Sequence, residues 1–305
     1  MGFVDVIHRK LAQIRKLSFV SWPLQTFKVI FQDKLGAIGL ILVIIFIITA
    51  IIGPLLAPYG PFEVVFNPNN RVVRLVPPNQ TNFLGTTNQG MDVFSQLLYG
   101  ARIALMVGVI SAFGSVMLGT LIGLFAGYYG KVIDQVLMRL TDISFGIPFL
   151  PFALIVISVT KPSLSTIILL IILFAWRTTS RVIRSQVLSL RERPFIWAAR
   201  AAGTSDLKIL FFHIGPNVLP FSFLYMAMGV SAGVLLEAGL SFIGFGDPNL
   251  TSWGQMLNKA FNAGAMRNAW WWVLPPGISL SFFVTSTFMI TRAYEKIINP
   301  RLREI

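Results

Sequence analysis

Residues that commonly carry out chemistry are scarce in this chain. It has no cysteine and only two histidines, His8 and His213, so the sequence predicts neither a metal site built on these ligands nor a Ser-His-Asp triad. The nearest match to a nucleotide-binding loop, GYYGK, lacks the glycine five residues before Gly130 and continues with Val132 in place of a hydroxyl residue. We therefore expect a protein that is not an enzyme and that binds no ATP, metal or other cofactor itself.

Two acidic residues lie in apolar surroundings, where a charge commonly marks a functional site. Asp142 follows Arg139 by three residues, which places both on one face of a helix, and we expect an ion pair between them. Glu237, within VLLEAGLSFIGFG, has no predicted partner in its own helix and is a candidate pathway residue. Contact with a partner subunit, protonation and a structural hydrogen bond are its alternatives. The tryptophans at 270–272 are further candidates, although such residues are common anchors at a membrane interface.

Membrane helices must position these few polar groups. Hydrophobic residues make up 55% of the chain and charged residues 12%, against about 25% charged in a soluble domain. Six windows are mostly apolar over about 20 residues, the length that crosses a bilayer as a helix. They are residues 35–57, 103–128, 140–160, 163–175 with a more polar continuation, 218–245 and 270–290. The sequence predicts an all-α integral membrane protein with six transmembrane helices.

The arginines and lysines indicate how these helices are oriented. Residues 1–34 carry six and residues 176–208 carry seven, whereas the segments on the opposite side carry few. Positive residues concentrate on the cytoplasmic side, so we expect both termini in the cytoplasm and the chain in a prokaryotic plasma membrane. The net charge of +13 then needs no nucleic acid to explain it.

The N-terminal segment is too long and too basic before its first apolar run to be a signal peptide. Its apolar residues recur on one helical face, which favours a helix lying on an anionic leaflet over an unstructured basic tail. These residues are Phe3, Ile7, Leu11 and Ile14. On the outer side, the Pro- and Asn-rich residues 58–97 predict an ordered irregular loop.

Between the fourth and fifth windows, the stretch AARAAGTSDLKILFFHIGPN interrupts the apolar pattern. Pro194 suits the first turn of a helix, and Gly203 suits the left-handed residue that ends one. Thr204 or Ser205 is placed to cap a second helix that starts near Asp206, whose charge suits a helix N-terminus. The pattern predicts a short helix, a tight turn and another helix.

We expect this unit to need a partner surface. A helix of about ten residues is marginal in water, and the apolar side chains at 195–197 are costly to leave exposed. Small residues, Ala198 and Ala199 among them, allow another backbone to come close, and Pro216 closes the second helix. The alternatives are an amphipathic turn that rests on the bilayer and a DNA-binding helix-turn-helix, which would have to sit between two spans.

The same stretch resembles the cytoplasmic loop of ABC importer permeases, whose pattern is E-A-A, three residues, G, nine residues, I-x-L-P. Ala198, Ala199, Gly203 and Pro216 occupy fixed positions of that pattern. Further segments, in order along residues 20–304, resemble the dipeptide/oligopeptide permease family. They are FLGTTNQGMDVFSQLLYGARIAL, GLFAGYYGKVIDQVLMRLTDISFGIP, LLEAGLSFIGFGDP, SWGQML, WWWVLPPG and NPRLRE. The long N-terminal span resembles that of the C-type subunit.

The resemblance implies a type I ABC importer permease fold with a cytoplasmic coupling helix. It implies as partners a homologous second permease, two cytoplasmic ATPases that carry ATP and Mg, and an extracellular solute-binding protein. The implied coupling residues are Trp197, Ala198, Ala199, Gly203, Asp206 and Pro216. The implied parts are a cytoplasmic segment 1–34, a first helix 35–57, an outer loop 58–97, a permease domain 98–296 with the coupling loop at about 194–216, and a tail 297–305.

The chain departs from the family pattern at several positions. Trp197 stands where the family carries an acid, and Met91 interrupts a usual G-R-D. These changes leave import of oligosaccharides or another solute open beside import of peptides. A secondary carrier without ATPases would need embedded charges or inverted repeats, and a membrane scaffold would leave the coupling element unexplained.

Overall fold

The computed structural model describes residues 30–298. The predicted surface helix over Phe3 to Ile14 lies outside the described residues. In the described part of the chain, five helices are long and apolar enough to cross a membrane, and a bent pair of shorter helices, counted as one broken span, brings the number to six. We number the helices α1 (Lys34–Leu56), α2 (Val93–Tyr129), α3 (Lys131–Gly146), α4 (Phe149–Thr160), α5 (Leu164–Leu190), α6 (Pro194–Ala201), α7 (Asp206–Phe242), α8 (Trp253–Asn262) and α9 (Trp270–Ile298). The prediction of an all-α membrane fold with six spans is confirmed.

The third span is not the single helix predicted over residues 140–160. Helices α3 and α4 meet at an angle of 83°. Ile147 between them is extended, with ψ of 119°, because the ring of Pro148 disfavours helical geometry in the residue before it. The break leaves α3 as a separate amphipathic helix beside α2 and α5.

Helix α2 lies at the centre of the fold and packs on α5 and α7. Glycines every four residues let the backbones of α2 and α5 come close, as in membrane helix pairs. A Cβ atom added at Gly123 would lie 2.6 Å from the Ser180 carbonyl oxygen, and one added at Gly127 would lie 2.7 Å from Val187 Cβ. The α2–α5 contact therefore excludes larger residues at these positions.

The loop before α2 is ordered, as predicted. Asp92 caps α2, since its Oδ2 accepts a 2.7 Å hydrogen bond from the Ser95 backbone N–H, and its Oδ1 accepts another from Asn82 Nδ2 at 2.9 Å. All three residues are buried. The N-terminal end of α2 is thus fixed by the loop that precedes it.

Two of the three candidate tryptophans belong to the core. Trp271 and Trp272 are buried, whereas Trp270 is exposed, and the Trp271 indole N–H donates to the Thr86 carbonyl at 3.3 Å. They pack with Trp253 of α8, an amphipathic helix that was not predicted. These two indoles therefore hold α8 and the loop between α1 and α2 together.

An ion pair ties the ends of α1 and α9. Asp33 caps α1 through the Gly36 N–H at 2.9 Å, and its carboxylate accepts a 2.5 Å hydrogen bond from Lys296 Nζ. The Lys296 ammonium and the Gly36 N–H favour the charged carboxylate and hold the pKa of Asp33 below its usual value. This contact fastens the N-terminal span to the last helix.

Candidate functional site

The candidate site is the short helix α6 between the fourth and fifth spans, together with the turn that follows it. Pro194 stands in its first turn, as predicted. Ile196 is fully buried, whereas the side chains of Phe195 and Trp197 are 44% and 54% exposed. The predicted coupling residue Ala198 is exposed and Ala199 is half-buried. One isoleucine thus anchors α6 while most of its surface faces outward.

The turn after α6 has the geometry that the sequence predicted. Gly203 has φ of +73°, and its N–H donates to the Arg200 carbonyl at 2.9 Å while the Thr204 N–H donates to the Ala199 carbonyl at 3.1 Å. This pair of bonds defines a Schellman motif, which requires a left-handed residue at the position of Gly203. A Cβ atom at Gly203 would meet nothing within 4 Å, so backbone conformation and not space favours glycine there.

The second helix does not end at Pro216, contrary to the prediction. It begins at Asp206, as predicted, but runs on through the fifth span as α7. Ile209–Ile214 form a π-helical segment in which the Gly215 N–H donates to the Leu210 carbonyl. The wider turn lets Pro216 follow near the start of a new α-helical stretch, where its missing N–H is tolerated. No flexible link therefore separates the turn at Gly203 from the fifth span.

The predicted side-chain cap of this helix is also absent. Ser205 occupies the N-cap position without a side-chain hydrogen bond. Instead the Tyr128 hydroxyl, at the end of α2, donates to Asp206 Oδ1 at 2.6 Å. The Asp206 carboxylate is thereby held against α2.

The ring of Tyr128 also contacts Arg200, the cation that α6 exposes. The Arg200 guanidinium carbon lies 5.4 Å from the centroid of the Tyr128 ring and 5.5 Å from that of Trp197, within the range of cation–π attraction. Sequence reasoning missed Tyr128 and Arg200 as site residues. Both lie in segments that resemble the family, but the distance between them in the sequence gives no indication that their side chains meet.

A buried apolar cluster beneath α6 joins it to three spans. We call it the α6 cluster; its buried members are Leu124, Tyr128, Ile183, Val187, Ile196, Ile209, Leu210, Ile214 and Val218. They come from α2, α5, α6 and α7. Because packed side chains resist deformation, this cluster fixes α6 firmly to all three spans.

Next to this cluster, three arginines of α5 contact α3. Arg184 makes a two-pronged pair with Asp134, at 2.5 and 2.6 Å. Arg181 pairs with Asp142 at 2.6 Å, and Arg177 donates to the Ser144 carbonyl. The predicted pair between Asp142 and Arg139 is therefore wrong. The bend after α3 turns Asp142 toward α5, where a guanidinium on a neighbouring helix replaces the local partner.

Glu237 lies apart from this site, 31 residues along α7 from Asp206, which corresponds to about 47 Å of helix. Its side chain is 3% exposed, and Oε1 accepts a 2.5 Å hydrogen bond from the Ser241 hydroxyl. The prediction that it has no partner in its own helix is wrong, because Ser241 follows by one helical turn. That Glu237 faces the pathway stays a prediction.

Comparisons with known proteins agree with this geometry. Residues 119–304 match the model of the binding-protein-dependent transport system inner membrane component family. Residues 23–78 match the N-terminal transmembrane domain of oligopeptide transport permease C. The chain therefore belongs to the family of inner membrane components of binding-protein-dependent transport systems, and it is a multi-pass ABC transporter permease.

Relatives and a solved structure cover most of the chain. It is 35% identical to the dipeptide transport system permease protein DppC of Alkalihalophilus pseudofirmus, over 92% of this chain and 90% of the relative. It is 33% identical to DppC of Haemophilus influenzae, over 92% and 96%. An inward-facing structure of the MetNI methionine ABC transporter has a TM-score of 0.50 at 21% identity and covers 67% of this chain and 95% of that one. That likeness supports the type I permease fold.

Proposed function

We propose that this chain is the membrane-spanning permease subunit of an ATP-driven importer. It forms half of the pathway for di- and oligopeptides that an extracellular solute-binding protein delivers, and a homologous second permease forms the other half. The names of the DppC relatives support the peptide substrate. ATP and Mg are bound by two cytoplasmic ATPases, so the chain itself is not an enzyme.

The observation that carries the proposal is the attachment of α6. Its outer surface is exposed, while Ile196 is fixed in the α6 cluster and the turn at Gly203 continues without interruption into α7. An element of this kind is suited to receive movement from another protein and to pass it to the spans. ATP-driven closure of the ATPases rocks α6 with α5 and α7 and opens the pathway outward, and release of the hydrolysis products resets it.

In this proposal the coupling contact involves the residues that the family resemblance implied. Trp197, Ala198 and Ala199 form the docking face. Gly203 and Asp206 set the angle at which that face is presented. Pro216 lies further along α7, where it follows the π-helical segment. Docking of ATPases here requires the loop and both termini to be cytoplasmic, in agreement with the distribution of arginine and lysine.

The turn at Gly203 provides the test. Gly203→Val forces a β-branched residue into a left-handed conformation, which costs about 1–2 kcal/mol, and shifts the angle between α6 and α7. Gly203→Asn is the matched control, because asparagine tolerates that conformation and the site has room for its side chain. We expect the Val variant to hydrolyse ATP without peptide uptake in reconstituted vesicles, and the Asn variant to retain uptake.

Two results would contradict the proposal. One is uptake by the Val variant at the wild-type rate. The other is a purified complex that contains no ATPase subunits.

A further inference from the structure

The exposed surface of the coupling segment is cationic. We define this segment as residues 193–208, which hold three cations, Arg193, Arg200 and Lys208, and one acid, Asp206. All four side chains are exposed. In the family pattern that the sequence resembles, an acid stands at the position of Trp197, so this segment has one negative charge fewer than that pattern.

The remaining acid is engaged within the chain. Its carboxylate accepts the 2.6 Å hydrogen bond from the Tyr128 hydroxyl. Arg200 is oriented by the rings of Tyr128 and Trp197, and neither Arg200 nor Lys208 has an ion pair within residues 30–298. What protrudes is an indole with a guanidinium stacked on it.

We propose that the docking groove of the partner ATPase is apolar at its floor and acidic at its rim. Trp197 enters the apolar floor, and an Asp or Glu of the ATPase binds Arg200 in a charge-assisted hydrogen bond. In this contact the permease supplies the positive charge and the ATPase the negative one. The charges are opposite to those of a contact in which the permease supplies the acid. This inference rests on the proposed function, because it names the chemistry of the surface that α6 meets.

The small residues of α6 favour a protein partner over a lipid surface. Ala198, Ala201 and Ala202 are exposed beside Trp197, and side chains of this size allow close approach of another backbone while adding little apolar area for insertion into lipid. Helices that lie in the membrane interface carry bulky apolar residues along one face, whereas α6 buries Ile196 within the protein and exposes only Phe195 and Trp197 as bulky apolar residues, the latter beside the Arg200 guanidinium.

The test measures how much ATPase stays with the complex. The tagged permease is co-expressed with its second permease and both ATPases and purified in nanodiscs with and without anionic lipid. We expect Arg200→Glu to reduce the retained ATPase about tenfold, since it sets like charges against each other. Trp197→Glu restores the family acid, and we expect it to weaken retention also, because it removes the indole and faces an acidic rim.

The controls separate charge from folding. Arg292→Glu makes the same charge change at an exposed residue of α9 and should retain the ATPases. Arg200→Gln removes the charge without reversing it, and its retained ATPase should respond less to added salt than the wild type does. Each variant is compared at equal recovery of the two permeases by size-exclusion chromatography.

The outcomes distinguish this inference from the function on which it rests. If the wild-type complex retains no ATPase, the proposed function fails. If it does retain ATPase, and Arg200→Glu retains as much or Trp197→Glu retains more, the acidic groove is refuted while the function stands. Retention in which only the lipid charge matters would assign α6 to the membrane surface and would also refute the groove.

Discussion

At the scale of single residues, Tyr128 links the parts of the candidate site. Its ring packs in the α6 cluster and lies beneath Arg200, and its hydroxyl holds Asp206. One side chain at the end of the second span therefore orients both the exposed cation and the start of α7. The presentation of α6 depends on a residue outside the coupling segment.

Glu237 gives a prediction at this scale. Glu237→Gln keeps an oxygen that accepts from Ser241 and removes the carboxylate, so we expect thermal stability and peptide uptake close to those of the wild type. Glu237→Ala leaves the buried hydroxyl unpaired and opens a cavity, and should lower the free energy of unfolding by about 2 kcal/mol. Thermal unfolding in detergent and vesicle uptake check both. A Gln variant that is stable but changes which peptides enter would instead place the carboxylate in the pathway.

At the scale of elements, the arginines of α5 attach α3 to the span that leads into α6. The opposite face of α3 exposes apolar residues, namely Val132, Val136, Leu140 and Ile143. Ion pairs on one side and an apolar surface on the other make the position of α3 depend on α5. Since α5 leads directly into α6, movement of α6 in the proposed mechanism would reach the bent third span by this route.

The Asp134–Arg184 pair tests that dependence. Its side chains are 17% and 32% exposed, and those of Asp142 and Arg181 are 56% and 48% exposed. We expect Asp134→Asn to lower the free energy of unfolding by about 1–2 kcal/mol, between the values for surface and buried pairs. The matched Asp142→Asn should cost about half as much or less. If thermal unfolding shows equal losses of stability in the two variants, burial of the ion pair does not determine its contribution to stability.

A charge exchange completes this experiment. Arg184→Asp combined with Asp134→Arg should recover part of the peptide uptake that either single variant loses. A double variant no better than the worse single variant would contradict a role for the pair in transmitting movement.

At the scale of the whole molecule, the helices and their order were predicted from the sequence more accurately than the contacts between them. Apolar windows predict spans and the glycine at 203 predicts a left-handed turn, because each depends only on residues close together in the sequence. The structure contains the corresponding spans and turn. The partner of Asp142 and the continuation of α7 past Pro216 could not be read locally. The first depends on Arg181 of α5, a residue 39 positions away that meets Asp142 beyond the bend at Ile147, and the second depends on the π-helical segment Ile209–Ile214.

The absence of cysteine makes the orientation of the molecule directly testable. A cysteine introduced at Phe66, which is 55% exposed in the outer loop, should react in intact cells with a maleimide that does not cross membranes. A cysteine at the exposed Ser205 should react only after the membrane is opened. The wild-type chain has no thiol and supplies the blank. Labelling of Ser205→Cys in intact cells would show that residue 205 lies on the outer side of the membrane, opposite to the predicted orientation.

The second span also limits how this chain can change length during evolution. Helix α2 has 37 residues, about 55 Å of unbroken helix, with Asp92 fixed by the outer loop at one end and Tyr128 beneath Arg200 at the other. Each inserted residue turns one end relative to the other by about 100°, which would swing the tyrosine away from α6 or pull the aspartate from its loop. Insertions and deletions between these two positions should therefore be absent from working relatives.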